Sequence, residues 1–199
     1  MLSLLEAQLP LHRKPWAQAP GEAAYPEAGV LVALTDESEP RVLLGRRAEH
    51  LPHHPGEIAF AGGKREVYDE SPWATALREA GEEVGLHASL VRPIGELPSM
   101  VTRTNFRVYP CIAAIPSEPE LVVDPSEFDS VFLPRLSVFA DGGIYRLEEF
   151  NIEGRRFKSP HYQVGDDNVW GVTAAMLVLL ANVAYDAQLE MDRDWKVKP

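Results

Sequence analysis

The stretch that decides the fold is residues 62–86, GGKREVYDESPWATALREAGEEVGL, where two glycines precede a helical pattern. Ser71 is a favourable N-cap residue, and Pro72 suits the first helical position because its missing N–H would have no partner there. Apolar residues then recur at spacings of four, three and four: Trp73, Leu77, Ala80 and Val84. This stripe, closed by Gly85 as a typical C-terminal residue, predicts a helix from about Pro72 to Val84.

Three glutamates on this helix, Glu79, Glu82 and Glu83, share one face, roughly opposite the apolar stripe. Their mutual repulsion, the helix dipole and Gly81 all oppose helix formation, the glycine by about 1 kcal/mol. Mg²⁺ or Mn²⁺ would offset these costs, because hard divalent cations prefer clustered carboxylate oxygens. For the triplet alone, a solvated acidic face is the commoner explanation. The glycine pair, whose backbone lets a metal and a phosphate approach closely, and the adjacent Arg78 favour a metal site.

The composition limits the classes of partner. The net charge of −11 over 199 residues opposes binding to a nucleic-acid backbone, so phosphate chemistry here needs added cations. The single cysteine, Cys111, excludes an internal disulfide framework and fits a reducing cytoplasm. The N-terminus lacks the pattern of a secretory signal, and the most apolar run, Val172 to Ala184, is shorter than the ~20 residues that span a bilayer. A cytoplasmic protein without nucleic-acid or membrane partners is predicted.

The rest of the chain divides into an N-terminal arm, residues 1–26, and one domain, residues 27–199. The arm is expected to pack on the domain or on a partner. Strand-like runs are predicted at 29–34, 41–44, 57–61, 90–97, 106–115, 130–133, 144–152 and 155–158. A second long helix is predicted from about Gly171 to Gln188. Strands flanked by two helices indicate an α+β sandwich.

The central stretch resembles the Nudix hydrolases, whose box reads G-x5-E-x7-R-E-U-x-E-E-x-G-U, with U a bulky apolar residue. The second half of the box is matched without a gap by Arg78, Glu79, Glu82, Glu83, Gly85 and Leu86. The box is one residue longer than the general pattern: counted back from Arg78 its first acid is Glu70, and counted forward from Gly63 it is Asp69. The resemblance implies a Nudix-type α/β/α sandwich with a mixed central sheet and hydrolysis of a diphosphate linkage.

The longer box is similar to that of the coenzyme A diphosphatase branch. The branch's other signatures are matched by Leu43-Leu44-Gly45-Arg46-Arg47, Leu51, His54, Gly56 and Phe60, and by Trp170-Gly171-Val172-Thr173-Ala174. Glu57 departs from the branch, which often has an amide there, and so does Glu66, where the branch has Asp. Ala61 departs from the branch's proline, and Asn105 stands near its T-x-S-G turn, where asparagine can take a left-handed backbone. The resemblance implies coenzyme A or its thioesters as substrate, giving 3′,5′-ADP and 4′-phosphopantetheine. ADP-ribose or a dinucleotide is the alternative, and a non-catalytic nucleotide-sensing module is a third hypothesis.

The resemblance also implies roles for individual residues. Glu79, Glu82 and Glu83 would bind Mg²⁺ or Mn²⁺ with a carbonyl of Gly62 or Gly63, joined by a distal glutamate that best matches Glu127. Glu79 is the first candidate for the general base and Glu82 the second, with Arg78 beside them. The basic residues that could meet substrate phosphates are Arg46, Arg47, Lys64, Arg65, Arg103 and Arg107, although each alone is more often a solvated surface residue. The sequence itself does not indicate an oligomeric state; many relatives are dimers, which makes the arm a candidate contact of a homodimer.

Overall fold

The computed structural model describes residues 1–19, 21–152 and 155–191. Within these ranges the chain forms three helices: α1 (Leu2–Gln8), α2 (Pro72–Val84) and α3 (Gly171–Tyr185). The same ranges contain eleven strands: β1 (Glu27–Thr35), β2 (Leu44–Arg47), β3 (Ile58–Ala59), β4 (Ala61–Lys64), β5 (Arg92–Glu96), β6 (Met100–Val101), β7 (Arg107–Ile115), β8 (Phe128–Phe132), β9 (Tyr145–Ile152), β10 (Arg155–Val164) and β11 (Asp167–Trp170). Two short 3₁₀ helices lie at Ala88–Leu90 and Leu136–Ala140.

The central sheet is mixed. Its strands follow the order β4-β1-β7-β5, and β6 also pairs with β7. β1 and β7 run parallel from Glu27↔Arg107 to Thr35↔Ile115, whereas the other pairs in this sheet are antiparallel. Two smaller sheets have the orders β3-β2-β8 and β11-β10-β9.

Alternate residues of β1 divide the core into two layers. Leu31 and Ala33 pack with the apolar side of α2, whereas Val32 and Leu34 belong to the cluster that holds α1 and α3. Because successive strand residues point to opposite faces, the two long helices cover opposite faces of the sheet. The predicted α/β/α sandwich with a mixed sheet is confirmed.

Helix α2 has the bounds that its sequence predicts. The Ser71 hydroxyl accepts a hydrogen bond from the Ala74 N–H at 3.1 Å, and Pro72 occupies the first turn. At the other end Gly85 takes a left-handed backbone with φ of 68°. Both signals are local, so they act independently of the rest of the fold.

Several predicted boundaries are wrong. The run at 41–44 is a strand only from Leu44, with Arg41 and Val42 in isolated bridges. The run at 57–61 is two strands, because β3 pairs with β2 while β4 pairs with β1 in a different sheet. Strand β10 continues beyond 158 to Val164, β6 and β11 were not predicted, and α3 ends at Tyr185 rather than Gln188 because Asp186 takes a left-handed backbone, φ 51°.

The beginning of the chain packs against the domain. Leu2 and Leu5 of α1 are buried in the same apolar cluster as α3. β1 begins at Glu27, immediately after the predicted arm. The division into residues 1–26 and 27–199 stays a prediction. None of the helices in the described residues is long and apolar enough to cross a membrane.

Candidate active site

The two glycines of β4 permit two close contacts, that of Gly63 with α2 and that of Gly62 with β1. Gly62 and Gly63 lie opposite Val30 and Gly29 of β1. A Cβ at Gly63 would overlap the carboxylate of Glu79, and one at Gly62 would lie 2.7 Å from the Gly29 carbonyl oxygen. At position 63, only glycine therefore permits the contact between the strand and the acidic side of the helix.

Glu79 and Glu83 face the glycine pair rather than solvent. The Gly62 N–H donates to Glu83 Oε2 at 2.9 Å, and Glu83 is only 4% exposed. Burial, together with the nearby charges of Glu79 and Glu127, raises the pKa of Glu83 to about 8. Burial also raises the pKa of Glu79 above its ordinary value. The interpretation of the three glutamates as one exposed face is wrong for these two, because α2 packs against β4 as well as β1.

Arg78 organises the remaining acids. Its Nε and Nη2 donate to the two oxygens of Asp69 at 3.2 and 3.0 Å, and its Nη2 also donates to the Lys64 carbonyl oxygen at 3.1 Å. Ion pairs of 2.8 and 2.9 Å join the same guanidinium to Glu79 and Glu82. Arg78 thereby connects the end of β4 to two of the predicted metal ligands.

Asp69, not Glu70, contacts the box arginine. Asp69 is 4% exposed, whereas Glu70 is exposed. Burial opposes ionisation of Asp69, but hydrogen bonds from Arg78, the Glu66 N–H and Thr75 bring its pKa below the ordinary value. The sequence left both positions open, and the forward count from Gly63 is the one that the contacts support. The additional residue of the box therefore lies between Asp69 and Arg78.

Glu127 lies on a loop that is tied to the C-terminal end of α2. The Asp124 N–H donates to the Glu83 carbonyl oxygen at 2.9 Å, and the Glu127 carbonyl oxygen accepts from the Ala48 N–H at 2.9 Å. Arg47 Nη2 is 3.9 Å from Glu127 Oε2, and the Arg47 charge opposes the rise in the pKa of Glu83. The structure thus brings together Arg47, Glu83 and Glu127. No local pattern indicates the pairing of Arg47 with Glu127, since the two residues are remote along the chain.

The other predicted phosphate contacts are dispersed. Arg46 forms an ion pair of 2.5 Å with Asp167 of β11, and Lys64 is exposed at the end of β4. Arg103 is exposed in the turn between β6 and β7, where Asn105 has the expected left-handed backbone, φ 62°. Arg65 is buried against Glu27, which favours a structural role over a phosphate contact.

Arg107, at the start of β7, is partly buried, and its guanidinium carbon lies 5.5 Å from the centroid of the Tyr25 ring. Tyr109, two residues further along the same strand, donates a hydrogen bond from its hydroxyl to Glu27 Oε1 at 3.1 Å, and the Arg107 charge opposes the rise in its pKa that burial causes. These contacts hold Arg107 on the sheet. Its role as a phosphate contact stays a prediction.

The carboxylate oxygens of this region are ligands that a divalent cation prefers, although the side chains do not all point to one position. Among the described residues, no group of three His, Cys, Asp or Glu side chains is arranged as a metal site. Glu82 is 59% exposed and turned towards Arg78, while Glu83 is turned towards Gly62. Five carboxylates lie in this region: Arg78 pairs with Asp69, Glu79 and Glu82, Arg47 lies beside Glu127, and Glu83 is affected by the charges of Glu79 and Glu127. A bound cation would stabilise the ionised form of the buried Glu83, which burial disfavours.

Comparison with known proteins identifies relatives of this chain. A model of the NUDIX domain matches residues 25–144. "Nudix hydrolase 15, mitochondrial" of Arabidopsis thaliana is 33% identical over 180 residues, which cover 86% of this chain and 63% of the plant protein, somewhat under two thirds of its length. "Uncharacterized Nudix hydrolase NudL" of Yersinia pestis (strain Pestoides F) is 32% identical over 154 residues, 77% of each chain. A crystal structure of a C. elegans Ap4A hydrolase binary complex aligns with a TM-score of 0.48 and 17% identity, over 55% of this chain and 80% of that one.

Proposed function

Because the chain belongs to the Nudix hydrolase family, we propose that it hydrolyses the diphosphate linkage of coenzyme A or its thioesters with Mg²⁺ or Mn²⁺. The products are 3′,5′-ADP and 4′-phosphopantetheine, or its acylated form. The reaction is that of a pyrophosphatase, a hydrolase acting on a phosphorus-containing acid anhydride.

The observation that carries this proposal is the position of Glu79 and Glu83 against the glycine pair. Both carboxylates are withdrawn from solvent beside Gly62 and Gly63, although burial raises the pKa of each. Arg78 pairs with Glu79, but the more deeply buried Glu83 faces the Gly62 N–H. A purely structural helix has no reason to place a carboxylate there, because burying a carboxylate without full compensation destabilises the fold. Cation binding would offset this destabilisation. The ligands would be Glu79, Glu82, Glu83 and Glu127, with a carbonyl oxygen of Gly62 or Gly63.

Mg²⁺ or Mn²⁺, when bound, supplies neutralisation of the diphosphate charge and a water of lowered pKa. Arg78 holds Glu79 and Glu82 in fixed directions through one guanidinium group. Glu79 is the first candidate to take the proton of the attacking water, because burial already raises its pKa towards that of an effective base. Glu82 is the second candidate, since its side chain is 59% exposed and therefore accessible to substrate.

Phosphate recognition falls to the basic residues around the acidic group. Arg47 lies beside Glu127 and Glu83, so it is placed to contact the diphosphate. Lys64, Arg103 and Arg46 are the candidates for more distant phosphates, such as the 3′-phosphate of coenzyme A. Support for coenzyme A comes from the signature residues, among which His54 takes a left-handed backbone, φ 57°, and contacts Glu57 at 3.0 Å.

A panel of diphosphates tests the substrate assignment. Coenzyme A, 3′-dephospho-coenzyme A, acetyl-coenzyme A, ADP-ribose and a dinucleotide are each incubated with Mg²⁺ and with Mn²⁺, and products are identified by mass spectrometry. We expect a higher kcat/KM for coenzyme A than for ADP-ribose, and a lower value when the 3′-phosphate is absent. The reverse ranking would remove coenzyme A. Tight binding without turnover of any compound would instead favour a nucleotide-sensing module.

The remaining predictions concern the partner, the oligomeric state and the cellular location of the enzyme. The net charge of −11 supports the proposal that the partner is a small molecule rather than a nucleic acid. A homodimer is tested by light scattering in solution. We also propose a cytoplasmic location, which rests on the single cysteine, Cys111, and is tested by cell fractionation.

A further inference from the structure

Residues 10–18, here called the strap, run from α1 to the start of α2. The Pro10 carbonyl oxygen accepts from the Glu96 N–H at 2.7 Å, and the Arg13 N–H donates to Glu96 Oε1 at 2.8 Å. The same carboxylate oxygen accepts from Trp73 Nε1 at 2.8 Å. Glu96 therefore connects the strap to the first turn of α2.

Trp16 connects the strap to the loop that precedes α2, residues 65–71. The backbone N–H of Trp16 donates to the Glu70 carbonyl oxygen at 3.0 Å. Its ring lies 4.7 Å from the guanidinium carbon of Arg65 and meets Tyr109 edge-on, with 5.0 Å between ring centroids. One residue of the strap thus contacts both ends of the loop, by a backbone hydrogen bond at Glu70 and by a cation–π contact at Arg65.

Arg65 also contacts strand β1 and the last residue of the strap. Its Nη1 donates to Glu27 Oε2 at 2.8 Å and to the Gln18 carbonyl oxygen at 2.9 Å. The side chains of Arg65 and Glu27 are 9% and 8% exposed, so this ion pair is shielded from solvent. Arg65 consequently fixes the loop between the sheet and the strap.

The loop continues directly into the candidate active site. Lys64, which precedes Arg65, accepts a hydrogen bond from Arg78 at its carbonyl oxygen, and Asp69 near the other end accepts two from the same guanidinium. The Cβ position of Gly63 meets the Glu79 carboxylate. A displacement of the loop would therefore move Arg78 and Glu79 together.

Trp16 does not serve either apolar core. It is buried, at 9% exposure, yet it belongs to neither of the apolar clusters formed by the described residues. The part of the arm that joins a core cluster is α1, through Leu2 and Leu5. The buried Trp16 instead contacts Arg65, Tyr109 and the loop.

We propose that Trp16 is a positioning residue for the candidate active site, acting through Arg65 and the backbone of Glu70. This inference rests on the proposed function, because the site that Trp16 would position is the one assigned there. It predicts that the ordering of the loop and the affinity for a divalent cation depend on the strap.

The test compares Trp16→Ala and Trp16→Leu with Trp16→Phe, in the full chain. Trp16→Leu keeps an apolar side chain but removes the stacking on Arg65, so it decides the question if Trp16→Ala does not fold. Hydrogen exchange by mass spectrometry follows the amides of residues 64–71 without metal, and calorimetry measures Mn²⁺ binding. We expect faster exchange in this segment and an Mn²⁺ affinity weaker by about tenfold or more in Trp16→Ala and Trp16→Leu. Trp16→Phe should restore both.

Two controls separate positioning from general stability. Leu5→Ala removes a core side chain of α1 and should lower Tm while leaving exchange at 64–71 and Mn²⁺ affinity unchanged. Leu11→Ala alters an exposed residue of the strap and should change neither. Unchanged exchange and Mn²⁺ affinity in Trp16→Leu would overturn the proposal, as would an equal effect of Leu5→Ala. Absence of turnover by the wild-type protein would count against the proposed function alone, because the exchange comparison needs no substrate.

Discussion

The two long helices cover opposite faces of one sheet, but they differ in the kinds of side chain that they carry. α3, of 15 residues, buries apolar side chains around most of its circumference and carries no Asp, Glu, Lys or Arg. α2, of 13 residues, buries one apolar side and places Arg78, Glu79, Glu82 and Glu83 on the other. The residues of α3 are explained by packing, whereas the three glutamates of α2 oppose folding and need a further reason.

This contrast makes the two helices separable by experiment. Removing charge from α2 should affect catalysis more than stability, and removing volume from α3 should do the reverse. If both helices responded alike to both kinds of change, the acids of α2 would be ordinary structural residues.

The largest expected effect is loss of activity in Glu82→Gln. The Glu82 side chain is 59% exposed and paired with Arg78, so its neutralisation should leave Tm nearly unchanged. Loss of a proposed metal ligand or base should lower kcat by about 10²–10⁴-fold. Steady-state kinetics at several Mg²⁺ concentrations and thermal unfolding measure the two quantities.

Glu70→Gln is the matched control for this variant. Glu70 is the alternative first acid of the box, but its side chain is exposed and Asp69 makes the contacts to Arg78. We expect wild-type kinetics from Glu70→Gln. Full activity of Glu82→Gln would exclude a catalytic or metal-binding role for that residue.

The second effect is loss of stability in Leu177→Ala. Leu177 in α3 is fully buried, so its truncation should lower the free energy of unfolding by about 2–5 kcal/mol through lost contacts and a residual cavity. Chemical denaturation measures this change, and kcat is measured well below Tm. A kcat that fell in the folded variant would show that α3 also shapes the site. Val183→Ala, which alters a partly buried residue of the same helix, should cost less.

The same contrast explains how much of the fold the sequence could predict. The bounds of α2 were predicted to the residue, because its N-cap, apolar stripe and C-terminal glycine are local signals. The division of residues 57–64 between two sheets was missed, since it depends on partners that lie far along the chain. The end of α3 was placed too late, because an apolar run does not show that Asp186 will adopt a left-handed backbone.

In the site, residue types were easier to predict than environments. The box spacing identified Arg78 and the three glutamates, but it did not show that Glu83 would be buried against Gly62. Burial of Glu83 follows from the closeness of α2 to β4, a tertiary contact. No local pattern marks Trp16, whose partners lie in the loop before α2 and in β7.

The third effect is a pH dependence of stability caused by Glu83. Its pKa is raised to about 8 in the folded protein, against about 4.3 for an unfolded glutamate. The folded state therefore holds a proton that the unfolded state releases between these values. The contribution is complete below about pH 4.3 and is lost as pH rises towards 8, by at most about 1.4 kcal/mol per pH unit. Urea denaturation of the metal-free protein at successive pH values measures the slope.

Glu83→Gln isolates this contribution. A neutral amide cannot titrate, so the variant should lack the part of the slope that Glu83 causes while other groups still contribute theirs. Equal slopes in the wild type and in Glu83→Gln would mean that Glu83 is ionised in the metal-free protein. The buried acid would then need a compensating cation within the chain itself, and Arg47 is the candidate.

The smallest effect should come from Gly81→Ala. This variant tests whether a residue of α2 other than its acids also lowers the stability of the fold. Gly81 is exposed inside the helix, and the nearest atom to an added Cβ is the Leu86 carbonyl oxygen at 3.8 Å, an ordinary contact. Alanine should therefore stabilise the fold by about 1 kcal/mol, a rise in Tm of about 2–4 °C, with kcat unchanged. Thermal unfolding and kinetics check both. A more stable but less active variant would show that the reaction needs flexibility of the helix near Glu82. The loss of stability that Gly81 causes would then also have a functional reason.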